Sequence, residues 1–164
     1  MSFDADLLAL LVAGGILTPL EAEGLSPETA SRIARDPYAL TISLSDLPAP
    51  ALRWRWQPER APAFCSWVQD VLRTRFDVAL EVTAEPDSDP VLLRLRLGGR
   101  DEVVDWAYLN SARWIGSFCT MAARLLAPRG VTALELETGD LDTVILFCRS
   151  SMAAEVEEAL EGGG

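Results

Sequence analysis

The stretch VLLRLRLGGRDEVVDWA, residues 91–107, gives the clearest indication of how this chain folds. From Val91 to Leu97 apolar and polar residues alternate, which is typical of a strand with one buried face. A Gly-Gly pair follows, and the residues after it form a second strand-like run, so the pattern predicts a hairpin. Strands joined by so short a turn are antiparallel. We therefore expect an antiparallel sheet.

The turn of this hairpin can be placed in two ways. A turn at residues 99–100 pairs Leu95 with Val104, and opposite charges then meet on the other face of the hairpin. A turn one residue earlier pairs Leu95 with Glu102 instead. Favourable cross-strand pairs each stabilise a sheet by roughly 0.2–1 kcal/mol. We therefore expect the first register.

Helical spacing and strand alternation along residues 61–161 predict the order α-β-β-β-α-β-β-α. The helices are expected at 62–76, from 110 or 111 to about 127, and at 151–161, and the strands at 78–83, 91–97, 102–107, 131–137 and 142–148. The last strand is apolar on both faces, so it should lie centrally and be covered on both sides. The predicted fold class is α+β, with one antiparallel five-stranded sheet and helices packed on it.

Short helices should precede this domain. Thr18 and Glu21 have the spacing of a capping box, and Pro19 occupies the first helical position. Ser26 and Pro27 repeat the start signal. The predicted organisation is a set of short helices over residues 1–47, a proline-rich connector over 48–60, the α+β domain over 61–161 and a flexible tail over 162–164.

The charge of the chain favours a basic protein as its partner. The formal net charge is -11, and all 14 basic residues are arginine. Nucleic-acid binding needs clustered positive charge to track phosphates, so we expect no nucleic-acid partner. A basic protein would be attracted and steered. No apolar run approaches the roughly 20 residues of a membrane span, so we also expect no membrane partner.

The residue types that are missing exclude several chemistries. The chain has no histidine and no lysine, which removes Ser-His and Cys-His dyads, Schiff bases and P-loops. The three cysteines, Cys65, Cys119 and Cys148, are far apart and lie in apolar segments. We expect buried, reduced thiols in a cytoplasmic protein. No motif calls for a cofactor, so none is expected.

Paired carboxylates remain the one route to catalysis. The stretch GDLDTV, with Asp140 and Asp142, resembles the D-x-D-x-T motif of haloacid-dehalogenase-type phosphatases. It lacks the residue between the second aspartate and the threonine, and it precedes a strand. A hairpin turn with exposed acids is the better interpretation. A carboxylate enzyme with a divalent cation at these residues stays as an alternative, as does a small-ligand regulatory domain.

The basic and aromatic stretch LRWRWQPER, residues 52–60, stands out in an acidic chain. Its tryptophans could pin the connector over the core, or they could anchor a partner, since Trp and Arg are enriched in interface hot spots. For partner binding we select this patch together with a patch of outward acids on and after the strand 131–137. The candidate residues are Arg53, Trp54, Arg55, Trp56, Glu135, Glu137, Asp140 and Asp142.

Taken together, these features predict a non-enzymatic acidic module that neutralises or escorts a basic protein. Bacterial immunity proteins act in this way, covering a toxin's basic cleft with carboxylates and aromatic anchors. The element order over residues 61–161 is also similar to that of type III secretion chaperones. That resemblance implies a small acidic homodimer that escorts a secreted cargo.

Overall fold

A computed structural model describes residues 3–41, 47–54, 61–85, 92–105, 113–137 and 143–161. Its helices are α1 (Phe3–Ala13), α2 (Pro19–Gly24), α3 (Pro27–Arg35), α4 (Ala61–Phe76), α5 (Arg113–Leu126) and α6 (Ala153–Glu161). Its strands are β1 (Ala51–Trp54), β2 (Glu81–Glu85), β3 (Leu92–Leu97), β4 (Arg100–Asp105), β5 (Val131–Glu137) and β6 (Thr143–Arg149). Short 3₁₀ helices cover Pro37–Thr41, Ala127–Arg129 and Ser150–Met152.

The fold class is α+β, but the strands do not form the single five-stranded sheet that was predicted. They form two three-stranded antiparallel sheets, sheet A in the order β1-β6-β5 and sheet B in the order β2-β3-β4. The additional strand β1 comes from the segment predicted to be a connector. The sequence did not predict β1 because this strand has only four residues. They follow prolines, and so short a run shows too little alternation to be recognised as an edge strand.

The hairpin of β3 and β4 does not have the expected register with its turn at residues 99–100. It has the other register, in which the turn lies one residue earlier. Leu95 pairs with Glu102, and the turn lies at Gly98-Gly99. Both glycines have positive φ, 55° and 84°, which a two-residue turn matched to strand twist requires and which Arg100 would adopt only at a cost. Glu102 is tolerated opposite Leu95 because its carboxylate lies 3.7 Å from the Arg124 guanidinium. Turn geometry therefore outweighed the cross-strand pairing of apolar residues.

The central strand of sheet A is β6, as predicted, and both of its faces are buried. Ile145 and Phe147 belong to one hydrophobic cluster, and Val144, Leu146 and Cys148 belong to another. The first cluster also contains the apolar faces of α4, α5 and sheet B. The second contains the apolar residues of α1, α3 and α6. Sheet A is therefore covered by helices on both faces.

The predicted start signals of the short N-terminal helices are confirmed. The Thr18 side chain accepts a hydrogen bond from the Glu21 amide at 3.1 Å, and the Glu21 carboxylate accepts one from the Thr18 amide at 2.9 Å. Ser26 caps α3 through the Thr29 amide. The capping box fixes the Glu21 side chain in a buried position, where it meets a second charge.

That second charge is Arg75 near the end of α4. Its guanidinium donates two hydrogen bonds to the Glu21 carboxylate, at 2.7 and 3.0 Å, and the two side chains are only 1% and 4% exposed. It also donates to the carbonyl oxygens of Ile16 and Pro48, each at 3.0 Å. One arginine thus joins the loop before α2, α2 itself, the connector and α4.

Removing the Arg75 charge should destabilise the whole fold. Arg75→Met leaves a buried carboxylate without its cation, and such a change typically costs about 3–5 kcal/mol of unfolding free energy. Urea unfolding followed by circular dichroism measures it. Arg73→Met is the matched control, because Arg73 is 74% exposed and its ion pair with Asp70 lies at the surface, so it should change stability by less than about 1 kcal/mol. Equal effects of the two substitutions would contradict this account.

The loop that follows α1 depends on glycine at position 15. Gly15 has φ of 79°, and a Cβ atom placed there would lie 2.7 Å from Cε1 of the Phe76 ring. The neighbouring Gly14 carbonyl accepts a hydrogen bond from the Arg149 amide at 2.8 Å. The loop therefore comes close to the ends of both α4 and β6, which leaves no room for a side chain.

Gly15→Ala should be destabilising by about 1–2 kcal/mol or more, because alanine is strained at positive φ and its methyl group would displace Phe76. Gly24→Ala is the control, since no atom lies within 4 Å of a Cβ built at Gly24. It should leave stability within about 0.5 kcal/mol of the parent. Thermal unfolding midpoints measured side by side make the comparison, and a shared decrease would refute the steric explanation.

Candidate functional site

Strand β1 brings the two predicted binding segments to the same end of sheet A. Trp54 of β1 pairs with Thr143 of β6, and Thr143 pairs on its other side with Glu137 of β5. These three residues form one row across the sheet. Neighbouring strands lie about 4.8 Å apart, so the Trp54 and Glu137 backbones are about 10 Å from each other. We call the part of sheet A around this row the binding end.

The other predicted residues lie as follows. Arg53 pairs with Val144, one row further into sheet A, and Glu135 pairs with Ile145, two rows in. Four predicted residues lie outside the described part of the chain: Arg55, Trp56, Asp140 and Asp142. In the sequence Arg55 follows Trp54, and Asp142 precedes Thr143. The two patches were predicted separately, and β1 joins them.

Glu135 does not point away from the protein body as expected. Its cross-strand partner Ile145 lies in the cluster that α5 helps to form, and Glu135 itself is half-buried. Its negative charge also acts on the Cys119 thiol of α5. The expectation failed because helices cover both faces of sheet A, so Glu135 in the middle of β5 faces the cluster formed with α5 and not open solvent.

The connector is fixed to α4 just before it enters β1. The Trp67 indole donates a hydrogen bond to the Ala49 carbonyl at 3.0 Å, and Arg75 donates one to the Pro48 carbonyl. The Trp67 ring also lies against Phe147 of β6, with ring centroids 5.7 Å apart. Trp67 is half-buried and packs against the first hydrophobic cluster. Its role as a hydrogen-bond donor to the connector has no signal in the sequence, because the two are 18 residues apart.

Immediately after these anchors, β1 is held from both sides. Ala51 is buried in the cluster that contains α1 and α3, and Leu52 packs against the cluster that contains α4 and α5. Successive strand residues point to opposite faces, so β1 contributes to both clusters at once. The binding end is therefore built on a strand whose position is fixed by packing and by hydrogen bonds.

The three cysteine thiols are buried, and none of them forms a disulfide. Burial raises the pKa of the Cys65 thiol to about 11, which its own backbone hydrogen bond partly offsets. Burial, and then the negative charge of Glu135, raise the pKa of Cys119 to about 12. Burial raises the pKa of Cys148 to about 11, although the nearby Arg149 charge opposes it. These thiols stay protonated at neutral pH and are poor nucleophiles.

The raised thiol pKa values predict a loss of stability in alkali. An unfolded cysteine ionises near pH 9.0, whereas folded Cys119 keeps its proton up to about pH 12. The stabilisation is fully present below the unfolded pKa and is lost as pH rises through the folded pKa. The unfolding free energy should fall in this window, and Cys119→Ala should make the decline shallower by up to about 1.4 kcal/mol per pH unit. Parallel slopes for the two proteins in urea titrations would contradict the burial argument.

The described ranges contain no group of three or more Cys, Asp or Glu side chains placed to hold a metal ion. Asp140 and Asp142 fall outside those ranges. None of the helices described combines the length and the apolar character needed to cross a bilayer.

Comparison with known protein families, with curated protein sequences and with solved structures found no match.

Proposed function

We propose that this chain is a non-enzymatic protein-binding module that captures a basic protein at the binding end of sheet A. The observation that carries the proposal is the β1 register. It sets Trp54, which belongs to the basic and aromatic stretch 52–60, in one row with Glu137 at the end of β5. Trp54 and Glu137, which are about 80 residues apart in the sequence, thereby lie at the same end of sheet A.

The residue types at this place suit a basic protein partner. The carboxylates of Glu137, Asp140 and Asp142, at and after the end of β5 in the sequence, would complement the partner's Lys and Arg side chains, and the net charge of -11 would steer its approach. Charge alone gives rate and specificity more than affinity. Trp54 and Trp56 would add the apolar anchors that concentrate binding energy in an interface.

The support beneath the binding end also fits a preformed interface. Trp67 and Arg75 fix the connector through the Ala49 and Pro48 carbonyl groups, and β6 is buried on both faces. A rigid scaffold reduces the entropy that is lost when the partner binds. We therefore expect tight capture with little rearrangement of sheet A.

The test is capture of a partner from an extract of the source organism by the tagged protein, at low and then high salt, with identification by mass spectrometry. A single basic protein, bound in stoichiometric amount and released by salt, is the expected result. The purified partner then gives a dissociation constant by calorimetry. Recovery of the tagged protein without any basic partner would contradict the proposal.

Two variants with equal net charge separate a specific site from general acidity. Glu137→Gln with Asp142→Asn changes predicted binding acids at and after the end of β5, and Glu23→Gln with Glu28→Gln changes exposed acids on α2 and α3. Each pair moves the net charge from -11 to -9 (-11 + 2). The first pair should weaken partner binding by roughly tenfold or more, and the second pair should leave it nearly unchanged. Equal losses would mean that only the overall charge attracts the partner.

A further inference from the structure

Sheet B is closed at its β2 edge and open at its β4 edge. Both strands are edge strands, because the sheet has the order β2-β3-β4. On the β2 side the Val82 amide donates a hydrogen bond to the side-chain oxygen of Gln69 in α4, at 3.1 Å. On the β4 side the outward backbone groups of residues 100–103 have no hydrogen-bond partner among the described residues. An unpaired strand edge is a template for another extended segment.

The β4 edge is also accessible. Arg100, Asp101 and Val103 are exposed, and Val103, at 41%, is one of two large exposed hydrophobic residues in the described part of the chain. The side chains that tie β4 to α5 are those of Arg100 and Glu102, which meet the main-chain carbonyl and the guanidinium of Arg124. These contacts lie on the inner side of the sheet, so the outer side of β4 faces solvent.

The outer face of sheet B is net acidic. Cross-strand pairing sets its side chains in three rows across the sheet: Glu81, Arg96 and Asp101; Thr83, Arg94 and Val103; Glu85, Leu92 and Asp105. Four acids and two arginines give this face a net charge of -2 (2 - 4). Asp101 lies 3.8 and 3.6 Å from the nearest nitrogens of Arg94 and Arg96. The row of Asp105 contains no arginine, so the excess acid lies there.

The outward residues of β4 repeat an acidic, apolar and acidic pattern, with Asp101, Val103 and Asp105 at alternate positions. Side chains directly opposite each other on neighbouring strands stabilise a sheet by roughly 0.2–1 kcal/mol per pair when their charges are opposite or when both are apolar. The pattern is therefore complemented by a strand with basic, apolar and basic residues at alternate positions.

We infer that β4 binds an extended segment of a basic protein as a fourth strand of sheet B. Lys or Arg of the segment lies opposite Asp101 and Asp105, and an apolar side chain covers Val103. In this kind of recognition main-chain hydrogen bonds supply affinity and the alternate side chains supply specificity. The β4 edge shares no residue with the binding end of sheet A, so the inference does not rest on the proposed function.

The charges of β4 act against a second copy of this chain as the added strand. Antiparallel pairing of β4 with itself about Val103 places Asp101 opposite Asp105, and pairing about Glu102 places two Glu102 side chains opposite each other. Like charges directly opposite are destabilising. The edge is thus protected from self-association and is selective for a cationic strand.

A synthetic peptide tests the inference on the full chain. The probe contains the sequence Lys-Thr-Val-Thr-Lys, and the comparison peptide has Glu in place of both Lys residues. At about 1 mM peptide the Lys probe should shift the amide resonances of β4 in NMR spectra, less so at high salt, and the Glu peptide should not. No shift in β4, or shifts confined to the binding end of sheet A, would overturn the inference, and the second outcome would leave the proposed function standing.

Two substitutions with the same change of charge locate the peptide. Val103→Lys places a cation at the edge and should weaken binding of the Lys probe by roughly tenfold. Thr83→Lys is the matched control, because Thr83 is exposed and lies in the same row on β2. It is about 14 Å from an added strand, beyond the Debye length of about 8 Å, and should bind nearly like the parent. Equal losses would place the peptide across the face and would exclude strand addition.

Methylation of the peptide amides tests the main-chain pairing. Only alternate residues of an added strand direct their N–H groups toward β4, and the others direct them toward solvent. Of two probes that are N-methylated at odd or at even positions, one should therefore bind like the parent peptide and the other should not bind. Equal binding of the two probes, or loss of binding in both, would show that β4 does not accept an added strand.

Discussion

The fold depends on one buried ion pair between Arg75 and Glu21. A buried charge is costly without a partner, so each of these residues makes the other necessary. The capping box adds a hydrogen bond from the Thr18 amide to the same Glu21 carboxylate. The remaining guanidinium donors of Arg75 reach the Ile16 and Pro48 carbonyl groups. Three regions that are distant in sequence, residues 16–21, Pro48 and Arg75, therefore take up their positions together.

The binding end follows from this arrangement. Because Arg75 and Trp67 hold the connector at Pro48 and Ala49, the residues that follow enter sheet A as β1 in a fixed register with β6. That register sets Trp54 level with Glu137. The surface proposed for a basic partner and the buried ion pair thus depend on the same placement of the connector, although they share no residue.

Both errors in the expected sheet have physical causes. Pairing Leu95 with Val104 looked favourable, yet the turn needs positive φ at two positions, and only Gly98-Gly99 provides it without strain. The pairing of strands into one sheet was assumed from their order. In the fold, β1 completes sheet A beside β6, and sheet B stays separate while it shares the core formed by α4 and α5.

The sequence by itself determined the local structure: the caps at Thr18 and Ser26, the types of most helices and strands and the burial of β6, and it also determined the net charge of -11. These features follow from periodicity, capping and charge, which act over a few residues. Only the tertiary structure decided that β1 is a strand, that Glu135 is half-buried and that Arg75 reaches Glu21 across 54 residues. Such contacts depend on which apolar faces pack together, and no local pattern records that choice.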